Sequence, residues 1–152
     1  MTLELKIPPP LVALALGVAM WFVAQLPPQP SLGLRWRVAL AALPALAGFA
    51  LAVAGVRAFR RAGTTVHPMK PQETTALVTS GVFRYTRNPM YLGVLLLLLA
   101  WSIALLSPWA LVGPVGFLAY ITRFQIVPEE RELARKFGGD YDRYRAWVRR
   151  WL

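Results

Sequence analysis

The chain has 152 residues, enough for one domain or one small membrane unit. Apolar residues make up 57% of it and its mean hydropathy is +0.47, above the roughly 45–50% apolar content of ordinary soluble domains. Seventeen basic residues against seven acidic give a net charge of +10, placed beside apolar runs, which points to the anionic face of a bilayer and away from nucleic acid. The absence of cysteine excludes disulfides, zinc-thiolate sites and cysteine nucleophiles, and the lone His67 cannot build a histidine metal site by itself.

Four apolar stretches follow in chain order, at about 10–26, 38–56, 90–106 and 109–127. Each approaches the ~17–20 residues needed to cross a bilayer as a helix. The first ends at Gln25-Leu26-Pro27-Pro28 without a small-residue cleavage site, and reads as a retained anchor. Pro44 and Pro114 lie inside spans and predict kinks; Gly113 and Gly116 would allow close helix approach. Only Ser107-Pro108 separates the third and fourth stretches, so these predict a tight antiparallel hairpin.

Arginine placement sets the expected orientation. The connection at 57–89 carries Arg57, Arg60, Arg61, Lys70, Arg84 and Arg87, and the tail at 128–152 carries seven more cations, whereas the opposite side has only Arg35 and Arg37. The positive-inside rule then puts both termini and the central connection in the cytoplasm. The tail reads as two short helices. Pro128 opens the first, Gly138-Gly139 stops it, and Asp140 caps a second that carries Tyr144, Val148 and Trp151 on one side and lies on the membrane. The expectation is an all-α membrane protein with about four transmembrane helices and an amphipathic cytoplasmic tail, one domain over 1–152.

Three groups of residues stand out chemically. Arg123 lies inside the last apolar stretch, where an arginine costs about 2.5–3.5 kcal/mol at mid-membrane. It either snorkels to the headgroups or turns inward to bind an anion. Glu129 and Glu130 follow; they suit the positive end of a helix, or one of them binds a cationic ammonium. Arg87-Asn88-Pro89-Met90-Tyr91 starts the third stretch, with Asn88 placed as a helix N-cap and Pro89 as first helical residue. No P-loop, glycine-rich nucleotide loop or zinc-protease motif is present.

These residues carry a family resemblance. Leu77-Val78-Thr79-Ser80-Gly81-Val82-Phe83, then Arg87-Asn88-Pro89-Met90-Tyr91-Leu92-Gly93, then Pro128-Glu129-Glu130, Leu133, Phe137-Gly138, Tyr141, Tyr144 and Val148-Arg149 follow in order over about half the chain. The chain in this respect resembles the isoprenylcysteine carboxyl methyltransferase family, which is similar in turn to the phospholipid methyltransferases. The resemblance implies a helical membrane enzyme that uses S-adenosyl-L-methionine and no metal. It implies a cofactor pocket at His67, Thr75, Ala76, Leu77, Val78, Phe83, Asn88, Pro89, Met90 and Tyr91, with Glu129 or Glu130 on the methionine ammonium. It implies Arg123 as the catalytic arginine facing a substrate carboxylate. Asn88 stands where many members have histidine, and the spacing from Arg123 to the glutamates also departs from the eukaryotic members.

The implied partners are membrane lipids and a lipophilic substrate entering from the bilayer, and the expected location is a bacterial cytoplasmic membrane. Carboxyl O-methylation of an isoprenylcysteine-like or other lipophilic substrate is the leading expectation. N-methylation of a phospholipid or small hydrophobic amine is the enzymatic alternative, and a small non-enzymatic membrane adaptor is the other.

Overall fold

The structure is a computed structural model that describes residues 4–28, 30–64 and 74–152. Among the described residues all regular structure is helical: α1 (Pro9–Val23), α2 (Leu34–Arg61), α3 (Pro89–Leu105), α4 (Val112–Ile121), α5 (Val127–Phe137) and α6 (Gly139–Trp147). Short 3-10 turns at Gly81–Arg84 and Pro108–Leu111 precede α3 and α4. A π-helical turn at Thr122–Ile126 joins α4 to α5 in one continuous helical run.

Two helical runs, Leu34–Arg61 and Pro108–Phe137, are long and apolar enough to cross a membrane. α1 and α3 are equally apolar but have 15 and 17 residues. At 1.5 Å per residue they span only about 22 and 26 Å, short of a hydrocarbon core of roughly 30 Å. α2 runs unbroken past Pro44 to 28 residues, well beyond the 38–56 stretch expected of it. Its outer face exposes Leu43, Leu46 and Phe49, as an apolar helix can where lipid replaces water.

Glycine sets the contact between α2 and α3. A Cβ added at Gly48 or at Gly93 would lie 2.6 Å from the other's carbonyl oxygen, so the two backbones touch where both side chains are missing. The buried cluster lies on the other side of α3, where Met20, Tyr91, Leu98, Ala110, Phe117, Ile121 and Ile126 join α1, α3 and α4. Gly113 admits Met20 there: a Cβ would sit 2.0 Å from its sulfur. At the far end of α3, Arg37 of α2 donates its Nε to the Ala104 carbonyl at 2.7 Å, satisfying an orphan acceptor at the negative end of the helix. The α3–α4 connection is tight, with Leu106 in the left-handed region at φ 51° ahead of Ser107 and Pro108.

The tail departs from the sequence expectation in three ways. Pro128 does not open a separate helix, because the π turn before it keeps the run continuous. Pro128 has no N–H for the Phe124 carbonyl four residues back, and that carbonyl accepts the Leu5 N–H at 3.0 Å. Gly138 does stop α5, at φ 50°, but Asp140 makes no side-chain cap bond and pairs with Arg143. Finally, α6 ends at Trp147 and Val148 is extended, so Val148 and Trp151 do not continue its face. The last residues turn back onto the segment before α3, where Arg87 N–H donates to the Arg149 carbonyl at 3.0 Å.

Candidate active site

Where the tail meets the start of α3, the fold encloses a cavity of about 240 Å³. One water needs only about 10–15 Å³ on this measure, so the space is ligand-sized. Its walls come from the starts of α1 and α3, the C-terminal part of α2, residues 74 and 76–78, the 3-10 turn, α5 and α6.

The 3-10 turn begins at Gly81, whose φ of 62° favours glycine, and it turns Phe83 inward. Phe83 is buried edge-on against Phe59 of α2, with ring centroids 5.2 Å apart. Tyr144 of α6 donates its hydroxyl to the Phe83 carbonyl at 2.7 Å, which joins the turn to the tail. Burial pushes the Tyr144 phenol up, so it remains a neutral donor.

Asn88 precedes α3 as expected, but it makes no side-chain cap bond. Its Nδ2 donates instead to the Arg150 carbonyl at 2.9 Å, and the Thr86 hydroxyl donates to the same oxygen at 3.3 Å. The returning tail offers an acceptor that a helix N-cap position could not see in the sequence. Pro89 does occupy the first helical position.

The two glutamates have opposite surroundings. Glu129 Oε1 accepts from the Tyr91 hydroxyl at 2.6 Å and from Gln125 Nε2 at 2.7 Å. Both donors are neutral, so they orient the carboxyl group without supplying a counter-charge. Glu130 instead meets two guanidiniums: Arg150 donates Nε at 3.0 Å and Nη2 at 2.7 Å, and Arg87 Nη2 lies 3.2 Å away. Arg87 also donates Nη1 to the Tyr141 hydroxyl at 3.0 Å, while its Nε is buried without a hydrogen-bond partner among the described residues.

Ala76, Leu77, Val78, Phe83, Asn88, Pro89, Met90, Tyr91, Glu129 and Glu130 all line this one cavity. Thr75 does not; it is exposed, and its N–H donates to the Thr64 hydroxyl at 2.9 Å. His67 lies outside the described residues. Arg123, the expected catalytic arginine, is not brought to the cavity. Its side chain is 62% exposed, pairs with Glu4 at 3.1 Å and lies against the Phe124 ring. The cavity-facing side of this helical run carries Ile126, Glu129, Glu130 and Leu133, and Arg123 projects from another side.

Sequence reasoning missed Phe59, Tyr141, Tyr144 and the Pro9-Pro10 start of α1, all of which line the cavity. Tyr141 and Tyr144 are three residues apart on a helix, a spacing that puts them on one face and was available as a signal. Arg87 adjoins Asn88 in the motif already singled out. For Phe59 the sequence carried none, since its position depends on how α2 packs against α3.

A sequence model of the family described as phospholipid methyltransferase matches residues 36–140, more than half of the chain. An uncharacterised protein of Haemophilus influenzae is 49% identical over 63 residues, which is 41% of this chain and the whole of that protein. No solved structure matches. The matched residues build most of the cavity wall, with Phe59, Phe83 of the 3-10 turn, the 87–91 motif and both glutamates among them. The chain belongs to the phospholipid methyltransferase family, a family of membrane methyltransferases.

Proposed function

We propose that this protein transfers a methyl group from S-adenosylmethionine to a lipophilic carboxylate, of the isoprenylcysteine kind, at the cytoplasmic face of the membrane. Members of the family generally use this cofactor, and bound, it would supply an electrophilic methyl on a sulfonium. The contrast between the glutamates is the observation that carries the reading. Glu129, held by Tyr91 and Gln125, meets no cation among the described residues and is left for a ligand ammonium, whereas Glu130 already faces Arg87 and Arg150. Leu77, Val78 and Phe83 supply the apolar wall that the uncharged parts of such a cofactor need.

The acceptor follows from what the cavity offers. Arg87 is the guanidinium among the described lining residues, a group suited to an acceptor's carboxylate. It takes the role expected of Arg123. A carboxylate is ionised at neutral pH and needs no general base, so alignment of the reacting atoms is the main task left to the protein. An ammonium acceptor would first have to lose a proton. With Glu129 assigned to the cofactor's ammonium, the other described lining groups are poor acceptors of that proton: Glu130 is ion-paired, and burial keeps the phenols of Tyr141 and Tyr144 protonated. The family's description favours a second reading, N-methylation of a phospholipid headgroup.

On this proposal all four apolar stretches cross the membrane, α1 and α3 with the help of the residues that flank them. The basic connection and tail lie on the cytoplasmic side of a bacterial inner membrane. The cofactor would then arrive from the cytoplasm and the substrate from the bilayer.

Calorimetric titration with S-adenosylhomocysteine tests the cofactor assignment. Glu129→Gln should weaken binding by about tenfold or more, as loss of a charged hydrogen bond of ~1.5–3 kcal/mol implies. Glu130→Gln should weaken it less. Equal losses would remove the basis for choosing Glu129. Mass spectrometry of methylated lipids then separates the acceptors: a base-labile methyl ester supports the carboxylate, and an N-methylated headgroup selects the second reading.

A further inference from the structure

The segment ahead of α1 is tied to the α4–α5 run by three contacts. Glu4 Oε1 accepts from Arg123 Nη1 at 3.1 Å and from Arg131 Nη2 at 2.9 Å. Leu5 N–H donates to the Phe124 carbonyl, the acceptor left open by Pro128. Both arginine side chains are largely exposed, at 62% and 57%. Arg131 and Arg123 hold the Glu4 carboxyl below its ordinary range, so it is charged at neutral pH. Two guanidiniums thus converge on one carboxylate oxygen at the surface, an arrangement that would serve a phosphate oxygen equally well.

This segment borders the cavity. It runs from Glu4 into Pro9 and Pro10, which line the cavity wall beside Glu129 and Val94. Pro10 and Val94 also line a second, almost wholly apolar groove between α1 and α3, bounded by Leu14, Trp21, Leu97 and Trp101. The ion pairs with Glu4 are exposed, and exposed pairs contribute little net stability, so replacing one anion by another there is nearly neutral.

We infer that Glu4 is a displaceable latch: its carboxylate occupies an Arg123–Arg131 site that the phosphate of an anionic phospholipid takes over, releasing the strap of residues 4–8 that leads into the Pro9–Pro10 corner of the cavity wall. The strap then sets passage between groove and cavity, and the bilayer surface itself opens it. The positive charge of the chain, concentrated on the side that carries this pair, brings such headgroups to it. The inference does not depend on which reaction the cavity performs, and Glu4 lies outside the family-matched residues.

The lack of native cysteine allows a direct test. Ile7→Cys and Ala146→Cys, both at exposed positions, carry a spin-label pair whose distance distribution is read by electron–electron resonance in nanodiscs. In phosphatidylcholine alone, the otherwise wild-type chain should give one main distance. Added phosphatidylglycerol should bring in a longer one, displaced on the order of 10 Å, within the reach of a five-residue strap. Glu4→Gln should show that longer population in phosphatidylcholine alone, and Arg131→Gln should show part of it. Identical distributions for the wild type and Glu4→Gln would overturn the latch. A response to Glu4→Gln but none to phosphatidylglycerol would overturn the exchange with lipid. The longer distance induced by inorganic phosphate alone would show that the anion comes from solution and would overturn the role of the bilayer. Unchanged size-exclusion profiles establish that the variants are folded.

Discussion

Both ends of the described chain are fastened beside the cavity, and in different ways. The C-terminal residues are welded by directional bonds, two of them from buried side chains: Thr86 and Asn88 share the Arg150 carbonyl, and Arg87 N–H bonds the Arg149 carbonyl. The N-terminal strap is held by one backbone bond and by ion pairs on exposed arginines. A buried hydrogen bond is costly to break because its partner is left without water; an exposed ion pair simply exchanges with solvent or salt. The same cavity thus has one fixed wall and one exchangeable one.

Removing residues 148–152 should break this contrast most severely. It deletes the Arg150 carbonyl and strands Thr86 and Asn88, each buried, and it removes one partner of Glu130. Unsatisfied groups cost about 1–3 kcal/mol each, so thermal unfolding in detergent should shift by several kcal/mol and S-adenosylhomocysteine binding should disappear. A truncated protein that melts and binds like the intact one would show that the tail does not build the wall. Arg87→Ala comes next. It leaves Glu130 with Arg150 alone and takes the donor from Tyr141, at about 2–4 kcal/mol for a guanidinium that is only 13% exposed. Asn88→Ala keeps Thr86 on the shared carbonyl and should therefore cost less, about 1 kcal/mol.

Tyr144→Phe should be smaller still in neutral solution, about 0.5–1.5 kcal/mol for the bond to the Phe83 carbonyl. Its signature is at high pH. The folded phenol is raised by burial, so above the unfolded value near 10 the unfolded state loses its proton first and stability falls as pH rises. Phenylalanine removes that ionisation, and alkaline unfolding should be shallower in the variant. An unchanged alkaline limb, measured by thermal midpoints across pH 9–11, the range about the unfolded value, would place the titration elsewhere.

These contrasts also explain what the sequence could and could not disclose. Apolar runs and arginine placement marked the helices, since a lipid-exposed helix must be apolar along its length. Their ends were less legible: α2 extends through Arg35 and Arg37 because a guanidinium there can reach the end of α3, and nothing local to Arg37 announces Ala104. The ten lining residues drawn from the motifs share one cavity because each motif is short and local. Arg123 could not be oriented from the sequence because a charge in an apolar run has two ways out; in the structure it takes the outward one, paired with Glu4 of the N-terminal segment. Likewise Glu129 and Glu130 differ by one position and could not be ranked until Tyr91 and Gln125, Arg87 and Arg150 were seen on opposite sides.

The smallest expected change in stability is also the sharpest use of the comparison. Glu4→Gln removes the charge shared by Arg123 and Arg131 while keeping the shape of the side chain. If the strap is a latch, the thermal midpoint in detergent should stay within error of the wild type, because both guanidiniums return to solvent. A loss as large as that of Asn88→Ala would mean that the N-terminal strap is a weld like the tail, with strap and tail melting as one unit. Arg131→Gln separates the cases further: a latch loses half its grip with no cost in stability, whereas a weld loses stability with every contact removed.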